Sequence, residues 1–128
     1  MSTVLVVEPH DDTREMLTEF FRWEGLDVLA AATTDAALTR ANRADVIITA
    51  LHVGGSVDGI GLIQKLHAEH RGRQIIACTT CGLPRFEEAA RAAGCDAFLV
   101  KPCDLVALLA VVRSLAQRRT ALSVLPSA

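Results

Sequence analysis

Short apolar segments alternate with longer amphipathic segments along the chain. Five apolar segments are predicted as β-strands: Thr3–Glu8, Asp27–Ala32, Asp45–Ala50, Gln74–Thr79 and Ala97–Lys101. Several of them are continuously apolar rather than alternating, which is typical of parallel strands that are covered on both faces. Helical segments of about a dozen residues lie between the strands. Five such βα units predict an α/β fold with a doubly wound parallel sheet.

Local signals predict where two of the helices begin and end. The first helix is expected to begin near Asp11-Asp12 and to end at Gly25 in a left-handed conformation. The spacing from Asp12 to Glu15 fits a capping box. The helix that starts after Pro84 is likewise predicted to end at a left-handed glycine, Gly94.

Composition narrows the class of protein. The 128 residues, 51% of them hydrophobic, suffice for one packed domain, which we place at residues 1–119 with a C-terminal tail at 120–128. A formal charge of −2 argues against a nucleic-acid-binding module. The apolar runs are too short to span a membrane, and no leader peptide is recognisable. Four Cys without an export signal favour a cytoplasmic protein with reduced thiols.

The carboxyl ends of parallel strands meet at one edge of the sheet, where ligands and chemistry gather in doubly wound folds. Four segments are predicted to lie at that edge: Glu8–Asp12, Ala50–Gly59, Thr79–Leu83 and Lys101–Cys103. These segments therefore contain the candidate functional residues.

Six stretches of sequence carry a family resemblance: VLVVE, DDTRE, ADVII, DGIGLIQKL, IIACT and AGCDAFLVKP. Over nearly the whole chain they resemble the receiver domain of bacterial two-component response regulators. The resemblance implies a flavodoxin-like (βα)5 fold with strand order 2-1-3-4-5. It also implies a phosphoacceptor Asp after the third strand, Mg²⁺ held by that Asp and an acidic pair, and a hydroxyl and a Lys that hold the phosphoryl oxygens.

Residue by residue, this phosphorylation site is degenerate. Glu8 matches the first acidic position, but Pro9 falls on the second and has no side-chain ligand for a metal. Ala50 falls on the phosphoacceptor position and lacks a nucleophilic oxygen. Since one of three carboxylates remains, we predict that the protein binds no Mg²⁺ and needs no other cofactor.

Three further positions keep the family's residue types. Thr79 matches the hydroxyl, Lys101 matches the Lys, and Phe98 matches the aromatic residue that moves when receivers switch. Without an Asp at position 50, Lys101 is expected to pair with Glu8, directly or through a water molecule, because burying either charge alone is costly. The following loop, ALHVGGSVDG, is one residue longer than usual and is expected to be mobile at the Gly54-Gly55 pair.

Two alternative chemistries stay open. Asp58 could serve as a displaced phosphoacceptor, although an Asp-Gly turn that caps the third helix is the favoured explanation. Cys78 and Cys81 form a C-x-x-C that could act in redox chemistry or metal binding, although buried structural thiols are the commoner case. His10 and His52 fall near the same edge and are not assigned a role.

The fifth helix suggests a protein contact. Residues 105–112 are all apolar, which is wider than the stripe that a surface helix needs. Val106, Ala110 and Val111 are predicted to form an interaction face for a homodimer or another partner. Alternatively, Leu122, Val124 and Leu125 of the tail fold back over this face.

Together these features predict a stand-alone receiver-like signalling module rather than an enzyme. We expect it to act in a two-component or phosphorelay system through phosphorylation-independent contacts with a protein, such as a histidine kinase or another regulator. Nucleic acid and membranes are not expected as partners.

Overall fold

Five parallel strands form one sheet in the order β2-β1-β3-β4-β5. A computed structural model describes residues 2–102 and 104–123 of the chain. The strands are β1 (Thr3–Val7), β2 (Asp27–Ala31), β3 (Val46–Thr49), β4 (Gln74–Thr79) and β5 (Ala97–Val100). Their number, direction and order confirm the predicted α/β fold, and each predicted strand end lies within one residue of the observed one.

Five helices connect and follow the strands: α1 (Asp11–Trp23), α2 (Thr34–Arg40), α3 (Gly59–Glu69), α4 (Pro84–Ala93) and α5 (Leu105–Ser123). A 3-10 turn at Ala41–Arg43 follows α2. No helix in the described part of the chain is both long enough and apolar enough to cross a membrane.

Both faces of the sheet are buried. On β3, Ile47 belongs to the core shared with α2, α3 and α4, whereas Val46 and Ile48 belong to the core shared with α1 and α5. All three side chains are at most 3% exposed. Helices on both faces therefore explain why the strands are apolar without interruption.

The ends of α1 and α4 show that the predicted capping box is wrong and confirm the two left-handed glycines. The N-cap of α1 is His10, without a side-chain hydrogen bond, so the predicted capping box at Asp12 is wrong. The helix begins one residue before Asp12, which places that carboxylate inside the positively polarised first turn. Gly25 and Gly94 have φ angles of +88° and +118°, the left-handed conformation predicted for both.

A contact at the amino-end edge of the sheet fixes the far end of α5. Asp45 lies just before β3 and accepts a 2.8 Å hydrogen bond from the backbone N–H of Thr3. The other oxygen of the same carboxylate forms an ion pair with Arg119 of α5. This end of α5 is thereby connected to β1 and β3.

We predict that Gly59→Ala lowers the free energy of unfolding by about 1–3 kcal/mol, the usual cost of forcing a methyl group into a packed site. A Cβ at Gly59 would lie 2.5 Å from the Cα and carbonyl oxygen of Leu51 and 2.6 Å from the carbonyl oxygen of Ala50. These are backbone atoms and cannot rotate away. Urea denaturation measures the loss.

Gly54→Ala is the matched control, because a Cβ at this position would have nothing within 4 Å of it. Its effect should stay within about 0.5 kcal/mol. Equal destabilisation by the two substitutions would contradict the role assigned to the space at Gly59.

Candidate functional site

A cleft of about 150 Å³ opens at the carboxyl-end edge of the sheet, between the loops that follow β1, β3, β4 and β5. The structure brings together all five residues predicted for the degenerate phosphorylation site. The cleft is lined by Glu8, Pro9, His10, Ala50, Leu51, His52, Cys78, Thr79, Thr80 and Lys101.

Glu8 and Lys101 form an ion pair across the cleft, as predicted, in which Lys101 Nζ donates to Glu8 Oε1. The Glu8 side chain is only 3% exposed and that of Lys101 is 24% exposed. Backbone hydrogen bonds hold both residues in register, from Glu8 N to Ala31 O at 3.0 Å and from Lys101 N to Thr79 O at 2.7 Å. The pair thus neutralises the buried carboxylate of the cleft.

Ala50 follows β3 directly and contributes only a methyl group to the cleft. Its backbone N–H donates to Val7 O at 3.0 Å, and its carbonyl accepts a 2.9 Å hydrogen bond from Thr49 Oγ1. The residue is 8% exposed. Position 50 is therefore held firmly at the cleft but offers no nucleophile and no ligand atom through its side chain.

The other predicted residues keep their expected places. Thr79 is 2% exposed, and its hydroxyl accepts a 3.1 Å hydrogen bond from the Cys81 N–H. Phe98 is half-buried and packs against the core beneath α2, α3 and α4. Its proposed movement as a switch remains a prediction.

Hydrogen bonds join the loop between β3 and α3 to the first turn of α2, and its mobility remains a prediction. Thr34 N donates to Gly54 O at 3.0 Å, and Thr34 Oγ1 donates to Val57 O at 2.9 Å. Ser56 N donates to Asp35 Oδ2 at 3.0 Å, and the Ser56 hydroxyl bonds to the other oxygen of that carboxylate. The expectation considered the glycines alone and missed the polar residues of α2.

Close packing explains one of those glycines. Gly55 has a φ of +143°, and a Cβ there would lie 2.2 Å from Thr34 Oγ1.

The hydrogen bonds from Ser56 lower the pKa of Asp35 below its ordinary value of 3.8. The signal that could have revealed this contact is the Thr34-Asp35 pair at the start of a helix, since both residue types readily bond to nearby backbone.

Of the residues considered for the two alternative chemistries, Cys78 lines the cleft, whereas Asp58 and Cys81 do not. Asp58 is the exposed N-cap of α3, and its Oδ1 accepts a 2.7 Å hydrogen bond from Gly61 N. Cys78 is buried against α1 and α5, whereas Cys81 is half-exposed and does not line the cleft. His52 is exposed and its ring meets Phe86 edge-on, with 6.4 Å between the centroids.

Among residues 2–102 and 104–123, no three His, Cys, Asp or Glu side chains are grouped so that they could hold a metal ion. The cleft itself contains one carboxylate, Glu8, which already pairs with Lys101.

On α5, the predicted interaction face divides in two. Val106 is 70% exposed and Ala110 is also exposed, but Val111 is half-buried and packs against the core. Val111 therefore belongs to a different side of the helix, since it follows Ala110 by one position and is turned by about 100°. The tail residues of the alternative, together with Cys103, lie outside the described side chains.

Comparison with known families and proteins gives a consistent match. The family model of the response regulator receiver domain matches residues 4–113. A cyclic di-GMP phosphodiesterase of Thermotoga maritima is 27% identical over 103 residues, which are 80% of this chain and 28% of that protein. The transcriptional regulatory protein PrrA of Mycobacterium tuberculosis is 30% identical over 118 residues, 91% of this chain and 50% of that protein. The chain thus spans half or less of these relatives.

Solved structures match over almost their full length. A CheY-like receiver domain protein from Methanospirillum hungatei superimposes with a TM-score of 0.87 at 20% identity, covering 94% of this chain and 98% of that one. A putative response regulator from Chloroflexus aurantiacus gives a TM-score of 0.81 at 27% identity, covering 91% and 98%.

We predict that Lys101→Met lowers the free energy of unfolding by about 2–4 kcal/mol, because it leaves the buried Glu8 carboxylate without its partner. The double variant Glu8→Gln/Lys101→Met should lose less than the sum of the two single losses. Chemical denaturation of the four proteins measures this coupling.

The exposed pair between Arg91 and Glu87 provides the control, with a separation of 2.9 Å and side chains about half exposed. Arg91→Met should change the stability by less than about 1 kcal/mol. Strict additivity of the Glu8 and Lys101 substitutions would show that the two charges do not stabilise each other.

We predict that the pKa of Asp35 depends on Ser56. Ser56→Ala removes the main hydrogen bond that lowers the pKa of this carboxyl, so the pKa should rise towards 3.8. A carboxyl whose pKa is lower in the folded state than in the unfolded state stabilises the fold at pH values above its unfolded-state pKa. This stabilisation is lost as the pH falls through the folded-state pKa. The variant should therefore lose part of that pH dependence.

NMR titration of the Asp35 carboxyl carbon measures the shift directly. Ser114→Ala on the exposed side of α5 is the control and should leave the titration unchanged. An unaltered Asp35 titration in Ser56→Ala would contradict the loop contact.

Proposed function

The chain belongs to the response regulator receiver domain family, and from this premise we propose that it signals through protein contacts that do not depend on phosphorylation. Receiver domains are in general signalling modules rather than enzymes, and they act on partners such as kinases and regulators. The proposed partner class here is a histidine kinase or another regulator.

The observation that carries the proposal is the methyl group of Ala50. This residue lines the cleft beside Glu8, Thr79 and Lys101, at the end of β3. Transfer of a phosphoryl group to a side chain requires an oxygen or nitrogen nucleophile. Ala50 provides neither, so the part of the cleft that would form the acyl phosphate is missing.

The donor set of the cleft also does not fit Mg²⁺. This ion takes oxygen ligands in near-octahedral geometry and usually depends on one or two carboxylates together with phosphate oxygens. Pro9 and Ala50 have no side-chain oxygen, and the single carboxylate of Glu8 is engaged by Lys101. We therefore assign no step of the function to a bound metal.

The carboxylate of Glu8 takes the place that phosphoryl oxygens would have as the partner of Lys101. Lys101 needs no phosphoryl oxygen to satisfy its charge, because Glu8 already does so. Hydrogen bonds between α2 and the β3–α3 loop hold that loop at the same edge. In this proposal, a partner selects or shifts the conformation through its different affinity for two states.

The relatives' further activities are not part of the proposal. Transcriptional regulation and cyclic di-GMP hydrolysis belong to proteins of which this chain covers half or less. A displaced phosphoacceptor at Asp58 is disfavoured because its carboxylate caps α3 and does not line the cleft. Redox chemistry at Cys78 and Cys81 is disfavoured because one of the two residues is buried in the core.

We predict that the wild-type protein gains no phosphoryl group when it is incubated with a small-molecule phosphodonor and Mg²⁺. Ala50→Asp should gain one, because the introduced carboxylate supplies the nucleophile and gives a metal ion a second carboxylate beside Glu8. Intact-protein mass spectrometry reads out both results.

The substitution Asp58→Asn in the wild-type background distinguishes phosphorylation-independent signalling from phosphorylation at Asp58. A wild-type adduct that disappears in Asp58→Asn would establish the displaced phosphoacceptor and overturn the proposal. Partner binding that is equally strong with and without the phosphodonor would support it.

A further inference from the structure

A cavity of about 310 Å³ lies where α3 ends and β4 begins. Because α3 runs back from the carboxyl-end edge of the sheet to the start of the next parallel strand, the cavity lies at the edge opposite the cleft. It is lined by His67, His70, Arg71, Gly72 and Arg73. We call it the basic cavity, since its lining contains two guanidinium groups, two imidazoles and no acid.

A tight turn after α3 brings the lining residues together. The helix ends at Glu69, and Gly72 has a φ of +89°, in the left-handed region that favours glycine. The Arg73 N–H donates to His70 O at 3.3 Å within this turn. One short segment between α3 and β4 therefore forms most of the basic cavity, and its backbone is set by the two elements that it joins.

Two of the lining side chains are held in place by neighbouring elements. Arg73 Nη2 donates to Asn42 O at 2.7 Å, and its Nε lies 3.5 Å from Ala41 O, so this guanidinium joins the cavity to the 3-10 turn after α2. The ring of His67 occupies the space above Gly94, where a Cβ would lie 2.5 Å from His67 Cγ. His67 is nevertheless exposed to solvent.

Structural roles do not account for the whole cluster. The carboxyl-terminal end of a helix attracts positive charge, which explains one basic residue beside the end of α3. Arg73 is used by the carbonyl groups of the 3-10 turn. The side chains of His67, His70 and Arg71, in contrast, form no hydrogen bond or ion pair with any other described residue. Their donor groups are available to a ligand.

The carboxylates at this edge of the sheet do not neutralise the cluster. Asp45 is paired with Arg119, and Asp96 Oδ2 accepts a 2.8 Å hydrogen bond from Ile75 N. Glu69 is exposed and does not line the basic cavity. The chain as a whole has a formal charge of −2, so the accumulation of positive charge is local and does not follow from the composition.

We propose that the basic cavity binds a diphosphate group. The planar guanidinium of Arg71 matches the spacing of phosphate oxygens, and the imidazoles of His67 and His70 add further N–H donors. No aliphatic residue lines the cavity, so charge and hydrogen bonds rather than hydrophobic contact recognise the ligand. The volume of about 310 Å³ leaves room for two linked phosphate groups, whose several negative charges complement the several donors.

Isothermal titration calorimetry of the full chain with pyrophosphate tests the proposal. Arg71→Gln should raise the dissociation constant by about tenfold or more, because it removes a charge-assisted contact. Inorganic phosphate should bind more weakly than pyrophosphate, since it reaches fewer donors. Amide NMR shifts caused by pyrophosphate should be confined to residues 67–73 and their neighbours. Adenosine diphosphate shows whether the group is recognised free or on a nucleotide, and its binding at this cavity supports the proposal in either case.

Arg85→Gln is the matched control, because Arg85 is an exposed arginine near the start of α4, at the opposite edge of the sheet. It should leave the dissociation constant unchanged. Equal weakening by Arg85→Gln and Arg71→Gln would reduce the effect to net charge and overturn the proposal. Citrate that binds as tightly as pyrophosphate, or no binding of pyrophosphate up to about 10 mM, would overturn it as well. The proposal does not rest on the proposed function, because Arg71→Gln leaves the cleft and its response to a phosphodonor unchanged.

Discussion

A buried carboxylate has to be neutralised in this fold, and the ion pair between Glu8 and Lys101 does so. The two residues are 93 positions apart and follow the first and the last strand. Because β3 and β4 lie between those two strands, their contact requires β1, β3, β4 and β5 to be assembled in register. Breaking it would leave Glu8 in an environment where a lone charge costs several kcal/mol. Ala50 makes the direct contact necessary, because no carboxylate at position 50 shares Lys101.

The same constraint organises the cleft around it. Backbone hydrogen bonds from Glu8 to β2 and from Lys101 to β4 extend the ladders just beyond the strands, so both side chains are fixed by the sheet. Thr79 lies between them, with its hydroxyl already bonded to the following loop. The charged and hydroxyl groups of the cleft are thus paired with groups of the chain itself.

The fold was predictable from sequence because buried parallel strands leave a strong pattern. Continuous apolar runs such as that of Val46–Thr49 mark strands that are covered on both faces, and the observed core confirms this. The pairing of Glu8 with Lys101 was also predictable, since strand ends converge and buried charges need partners. Contacts between loop and helix were not, because the bond between Ser56 and Asp35 joins residues with no periodic relation. Likewise, the side of α5 to which Val111 belongs depends on how the helix is rotated on the sheet.

The approach of Gly55 to Thr34 links two positions that lie far apart in the sequence. A side chain at position 55 would occupy the space of the Thr34 hydroxyl, and that hydroxyl in turn holds the carbonyl of Val57. Neither residue can be exchanged for a larger one without a change at the other. For anyone who redesigns this edge of the molecule, α2 and the β3–α3 loop are therefore a single unit, to be grafted or varied together.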